Sequence, residues 1–266
     1  MRAIAKRTNL LNPESVKAYL ATAQLSENRK EKLTHDLTRF YRYNNIRFEK
    51  PNYRRIEKLP FIPLEAEVDQ LISGVGKKTT TFLQLLRETG ARPGEAWNLR
   101  WIDIDFEKHT VNITPEKDSR ARQLRISLRL AAMLQQLSHS REYIFRDPKT
   151  DPLRSIQNFH RNFCAQRKNL AKRLQNPRLN SISFRTLRHF KATTEYHRTR
   201  DILHVMQLLG HKNIRNTLVY THLVNFESDD YVCKVAKTVD EAKALIEDSF
   251  EYVTDIEDIK LFRKRK

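Results

Sequence analysis

The chain has 266 residues, 39% of them hydrophobic, with 50 Lys and Arg against 32 Asp and Glu and a formal net charge of +18. That length fits one or two domains with a sizeable core, and the basic excess, with a sequence pI near 10.0, points to a polyanionic partner, most simply nucleic acid. Cys164 and Cys233 are the only cysteines, which excludes a disulfide framework and a cysteine-based metal site, and no apolar run reaches membrane-spanning length.

No signal-peptide apolar core opens the chain, so a reducing, cytoplasmic setting is expected. The charge is uneven. From Phe226 onward eleven acids face eight bases, a net of −3, which leaves +21 on the residues before it. The polyanion is therefore expected against those earlier residues.

Residues 1–10 are basic and read as loose. Pro13 opens a short helix with Val16, Tyr19 and Leu20 on one side. Ser26 caps a second helix through about Tyr43, in which Leu33, Leu37, Phe40 and Tyr41 repeat at helical spacing. Its other face carries Arg29, Lys30, Lys32, Arg39 and Arg42, a candidate DNA-facing surface or simply a solvated one. The stretch 47–63, RFEKPNYRRIEKLPFIP, is a basic linker rich in proline.

Leu64 to Val75 and Lys78 to Glu88 read as helices. Gly90 breaks the chain, and Pro93 and Glu95 suit the first turn of the helix that follows. From Trp101 the period changes to strands, at 101–105, 109–114 and 123–128, with a basic turn at 115–120. Leu128 to Leu137 reads as a helix, Tyr143 to Phe145 as a short apolar segment, and Ser155 to about Leu174 as a basic amphipathic helix. That helix turns Ile156, Phe159 and Phe163 inward and leaves Arg161, Arg167, Lys168, Lys172 and Arg173 exposed. A helix beginning near Thr186 follows. Asp201 caps the next one, Gly210 ends it, and Asn216 is placed to cap a short helix bearing Tyr220. The last forty or so residues read as a βαββ unit with a capping box at Thr238 to Glu241.

The chemistry gathers between Phe184 and His222. Arg185 and Arg188 lie three apart and share a helical face, His211 follows Leu209-Gly210, and Tyr220 comes nine residues later. Arginines clamp phosphate bidentately, and a phenol can attack phosphorus to leave a tyrosine ester. The sequence shows no Gly-rich phosphate loop and no carboxylate cluster for a metal.

At these residues the chain resembles the tyrosine recombinase (phage-type integrase) family, with an archaeal-type integrase the expected kind. Arg185-Thr186-Leu187-Arg188-His189, Leu209-Gly210-His211 and Tyr220-Thr221-His222 match the family's motifs, and Thr89-Gly90-Ala91-Arg92-Pro93-Gly94-Glu95 matches its first-arginine box. Arg185 departs from the pattern, which usually has His there. The resemblance covers Leu64 to Leu223 well, residues 1–50 loosely and the tail hardly at all.

It implies a mainly α chain with a small antiparallel β-sheet (α+β). The implied domains are a helical core-binding domain with its linker at 1–58, a catalytic domain at 59–225 and a βαββ extension at 226–266. The two DNA-facing domains would close around a duplex. The implied activity is strand cleavage and rejoining of double-stranded DNA by a tetramer on paired sites, with no membrane association. Arg92 and Arg188 hold the scissile phosphate, His211 donates a hydrogen bond or assists proton movement, and Tyr220 forms a 3′-phosphotyrosyl link. Lys117 protonates the departing 5′ oxygen, with Lys108, Arg120 and Arg122 as rivals. Because the ester stores the bond energy, no nucleotide cofactor and no metal is implied. Arg185 becomes a third cation and cannot be a base. Proton removal from Tyr220 then falls to His211, to water, or to a phenol whose pKa the cations depress. A catalytically inactive DNA-binding protein on the same scaffold and a topoisomerase-like relaxing enzyme are the alternatives.

Overall fold

The computed structural model describes residues 2–54, 59–116, 119–223, 231–256 and 259–265. It divides into two units, Met1–Leu59 and Pro60–Lys266.

The first unit holds α1 (Arg2–Ala5), α2 (Pro13–Thr22) and α3 (Glu27–Tyr43). The Asn12 side chain accepts from the Glu14 and Ser15 N–H groups and caps α2. Leu33, Leu37 and Tyr41 on α3 bury against Val16 and Leu20 of α2 and Ile4 of α1. Residues 2–10 are thus not loose, because Ile4 completes this small core. Ser26 precedes α3 but makes no side-chain cap. Arg29, Lys32, Arg39 and Arg42 are exposed as expected. Lys30 is not, since its ammonium lies 5.6 Å from the Tyr53 ring centre.

The second unit begins with α4 (Glu65–Ser73), α5 (Lys77–Thr89) and the short α6 (Pro93–Trp97). A three-stranded antiparallel sheet follows, with β1 (Ile104–Asp105), β2 (Thr110–Ile113) and β3 (Arg122–Arg125) in that order. The first strand is shorter than its β-branched sequence implies. Trp101–Asp103 forms a 3₁₀ turn instead, fixed by the Asp103 carboxylate accepting from the Arg100 N–H.

The rest of the unit is mainly helical: α7 (Leu128–Gln135), α8 (Pro152–Arg173), α9 (Phe184–Thr199), α10 (Ile202–Leu209) and α11 (Arg215–Leu218). The short apolar segment at 143–145 makes a single isolated bridge, between Tyr143 and Arg100. Arg167 on α8 is half-buried rather than exposed, and its guanidinium donates to the Ile182 carbonyl. Phe82 sits at the centre of the core, edge-on to Trp97, Phe145, Phe159 and Phe184. This aromatic cluster fixes α5, α6, α8 and α9 against one another.

A second antiparallel sheet lies in the tail. It is built from β4 (Tyr231–Ala236), β5 (Glu251–Ile256) and β6 (Ile259–Arg265) in the order β4-β6-β5, with α12 (Val239–Glu247) between the first two. Thr238 and Glu241 form the capping box that opens α12. Ala236, Ala242, Phe250 and Phe262 make a small core of their own.

Candidate active site

The site is assembled on α9, where the C-terminal ends of α5 and α10 meet it. That helix starts at Phe184, two residues before the sequence reading placed it, because Ser183 and Thr186 form a reciprocal cap. The shift puts Arg185 in the first turn of α9. Phe184, Leu187 and Phe190 turn into the core and hold the helix in one rotation. Arg185, Arg188 and His189 are then carried to one shared cavity.

Arg188 is only 6% exposed. Its Nη1 donates to the Gly90 carbonyl at 2.6 Å and its Nη2 to the Leu209 carbonyl at 2.8 Å. Both acceptors belong to helix C-termini, those of α5 and α10, where carbonyls lack intrahelical partners and the helix dipole is negative. Each end turns on a glycine in the left-handed region, Gly90 at φ 60° and Gly210 at φ 68°. Gly210 is further required by crowding, since a Cβ there would stand 2.8 Å from the Arg120 carbonyl. Burial, with the Arg92 and Arg122 charges, lowers the Arg188 pKa to about 10. It stays protonated at neutral pH.

His211 sits just past the end of α10. Its Nε2 is 2.9 Å from Arg188 Nη2 and its Nδ1 is 2.9 Å from the Thr217 hydroxyl. Arginine only donates, so Nε2 is the acceptor and Nδ1 carries the proton. Burial and the neighbouring arginines lower its pKa to about 4, which agrees with a neutral ring. Both ring nitrogens are engaged, one by Arg188 and the other by Thr217.

Arg92 precedes α6 and is tied by Nη1 to Glu95 Oε1 at 3.0 Å. Glu95 Oε2 accepts from the Arg92 backbone N–H at 2.9 Å and from Arg122 Nη2 at 2.6 Å, and Oε1 accepts from the Ser119 hydroxyl at 3.1 Å. Glu95 therefore both caps the helix and holds two arginines. Burial alone would raise its pKa. The hydrogen bonds from Arg122 and Arg92 outweigh burial and bring it from 4.5 to about 2. Its contribution to stability is complete above pH 4.5 and is lost as the pH falls toward 2. Glu95→Ala should cost about 3–5 kcal/mol in urea unfolding at pH 7, the scale for stripping one partner from a buried ion pair. The difference from the parent chain should shrink toward pH 2.

Tyr220 is 2% exposed and packs with Ala192, Val205 and Leu209. It lies just after α11, not on it. Asn216 falls inside that helix and lines the cavity rather than capping. Burial raises the phenol pKa, and Arg188, Arg185 and Arg92 offset this only in part. A depressed phenol, one of the three routes for proton removal left open by the sequence, is not found, because the hydroxyl has lost more hydration than the three cations return. The hydroxyl lies 3.1 Å from His189 Nδ1. His189, which the motif reading left without a role, is thus the phenol's partner. Its place four residues after Arg185 on a helix was the signal that could have found it.

The cavity is about 460 Å³, lined by Arg92, Arg185, Arg188, His189, His211 and Tyr220 among others. Arg185 is exposed at its edge. Lys117 lies outside the described residues. Of its rivals, Arg122 is taken up by Glu95, and the Lys108 ammonium lies 3.7 Å from Asp105. Among the described residues, no group of three His, Cys, Asp or Glu could hold a metal ion.

The chain is similar to known recombinases. An integrase/recombinase of Escherichia coli is 26% identical over 209 residues, covering 64% of this chain and 62% of that protein. A tyrosine recombinase of Pseudothermotoga lettingae is 29% identical over 196 residues, covering 70% of this chain and 63% of that protein. The chain thus spans a little under two thirds of these relatives. The crystal structure of XerH site-specific recombinase bound to difH substrate, a pre-cleavage complex, shares the fold. Its TM-score is 0.59 at 18% identity, over 79% of this chain and 67% of that one. The profile of the phage integrase family matches residues 64–226, a span that contains every residue of the cavity, and the chain belongs to that family, the tyrosine recombinases.

Proposed function

We propose that this chain is a site-specific DNA recombinase that cleaves and rejoins strands of double-stranded DNA through a 3′-phosphotyrosyl intermediate. The observation that carries this reading is the convergence of Arg92, Arg185, Arg188 and the Tyr220 hydroxyl on one cavity. Three guanidinium groups line the cavity against one lining carboxylate, Glu116, while Glu95 is shared between Arg92 and Arg122, and this leaves a net positive pocket suited to one phosphodiester. A phenol at its wall is the nucleophile such a pocket requires. The XerH relative in fold was solved on its DNA substrate, which supports duplex DNA as the partner.

In this reading Arg92, Arg185 and Arg188 receive the non-bridging oxygens and offset charge that develops in the transition state. His211, as a neutral acceptor, aims the Arg188 fork. Tyr220 attacks phosphorus, and the P–O5′ bond breaks. The reaction is proposed to run in the cytoplasm, in a tetramer on paired sites. No helix among the described residues is long and apolar enough to cross a membrane.

The test is a nicked suicide duplex that traps the cleaved state. The expected products are a protein–DNA adduct that survives denaturant, mapped to Tyr220 by mass spectrometry, and a free 5′ hydroxyl. An adduct on another residue, or none while the duplex is bound, would sink the reading.

The leaving oxygen needs a proton, and Lys117, which follows β2 in the sequence, is proposed to give it. Lys117→Ala should slow cleavage by about 10²-fold or more, the general-acid scale. A substrate with sulfur in place of the bridging 5′ oxygen should restore the rate, because a thiolate leaves unaided. Rescue of Lys108→Ala or Arg120→Ala instead would move the acid to that residue.

A further inference from the structure

We infer that His189 is the general base that takes the proton from Tyr220 when the phenol attacks phosphorus. The inference rests on the phosphotyrosyl reading above and adds to it the group that reading lacks.

Geometry comes first. Tyr220 is buried, and His189 Nδ1 is 3.1 Å from its hydroxyl, within the reach required of a base. The two rings lie 5.9 Å apart between centroids. The other imidazole of the cavity is committed elsewhere, its nitrogens engaged by Arg188 and Thr217. Arg185, which stands where the family's usual histidine would, cannot accept a proton at all. His189 is one helical turn from Arg185, so the same face of α9 supplies an imidazole from the next position along.

Charge explains how the base is held ready. Burial, then the Arg185 and Arg188 charges, lower the His189 pKa to about 4, so the free enzyme presents a neutral ring. The charged and titratable groups that share its cavity are Arg92, Glu116, Arg185, Arg188, His211 and Tyr220. A phosphodiester bound among the arginines brings a negative charge that offsets them and raises the basicity of His189 as the substrate seats. The base is weak in the empty site and strengthened in the loaded one.

The step balances. The Tyr220 O–H bond breaks as the Nδ1–H bond forms. The phenolic oxygen bonds to phosphorus as the P–O5′ bond breaks, and the 5′ oxygen takes its proton from the general acid. On rejoining, the 5′ hydroxyl attacks phosphorus and returns its proton to the deprotonated general acid as the P–O bond to Tyr220 breaks, and the imidazolium returns its proton to the departing phenol.

The test variant is His189→Asn in the full chain. Asn places a carbonyl oxygen near the position of Nδ1, so it accepts the same hydrogen bond but cannot hold the proton. Duplex affinity by gel shift should be unchanged, while single-turnover cleavage of the suicide substrate at pH 7 should fall about 10²-fold or more. The deficit should narrow as the pH rises, and Tyr220→3-fluorotyrosine, which acidifies the phenol, should speed His189→Asn more than it speeds the parent. A 5′ bridging sulfur should not rescue it, unlike the Lys117 variant. If His189→Asn cleaves within about threefold of the parent, well short of the general-base scale, or if its deficit ignores both pH and phenol acidity, the inference is overturned. That outcome is separate from the failure of the phosphotyrosyl reading, in which the parent chain itself forms no Tyr220 adduct.

Should His189→Asn lose DNA binding, the parent decides. Its rate falls at low pH along a limb that Tyr220→3-fluorotyrosine leaves in place if an imidazole is the base. If the phenol ionises unaided, the limb moves down with the phenol pKa, and the inference fails.

Discussion

Tyr220→Phe is expected to abolish the covalent DNA adduct completely while leaving duplex binding and folding almost unchanged. The ring keeps its packing with Ala192, Val205 and Leu209, and only the hydroxyl and its contact with His189 are removed. Losing that hydrogen bond costs about 0.5–1.5 kcal/mol at most, too little to unfold the unit. Duplex binding is expected to rest on many phosphate contacts from a chain of net charge +18, and one neutral hydroxyl should add little to them. Adduct formation, by contrast, has no substitute for the phenolic oxygen. The measurement pairs a gel shift with denaturing electrophoresis on the suicide substrate. Any adduct retained by the phenylalanine variant would falsify the assignment of the nucleophile.

Much of this site was legible as spacing. Arg92 before a helix-opening Pro93, Arg188, His211 past a glycine stop, and Tyr220 nine residues on were all marked by position, and the fold brings all four to one cavity. What the spacing could not carry was direction. Arg167 lies in a basic run and reads as solvated, yet its guanidinium turns back to a carbonyl on the next segment, a contact set by tertiary packing. Tyr220 reads as a phenol acidified by cations, yet it is buried by residues from α9 and α10 that are distant in sequence, and burial dominates. His189 stood within the motif without a role because its partner lies thirty-one residues away, and only the packing of the segment after α11 against α9 shows it. The first strand was shortened for a local reason, a carboxylate turn at Asp103 that competes with pairing. The N-terminal segment reads as loose because it is basic, yet Ile4 and Leu10 pack with α2 and α3.

Arg188→Lys is expected to lose cleavage by about 10²-fold or more, the scale for a misplaced transition-state donor, with little change in DNA affinity. The substitution keeps the charge, so neither the net +18 of the chain nor the salt dependence of binding should move. What it removes is the fork. Arg188 Nη1 reaches Gly90, and Nη2 reaches both Leu209 and His211, so a planar group is fixed by two helix ends and an imidazole at once. A lysine ammonium is a compact point charge on a flexible stem and cannot satisfy these acceptors while also facing the phosphate. The lysine variant is more informative than alanine. Arg188→Ala would also strand two buried carbonyls, at about 1–3 kcal/mol each, and mix instability with lost chemistry. Single-turnover cleavage and gel shifts at two salt concentrations separate the outcomes. Equal losses in affinity and cleavage would make Arg188 a grip on DNA. A cleavage loss at constant affinity and constant salt slope would place its action in the transition state, where the orientation of the guanidinium, and not its charge alone, does the stabilising.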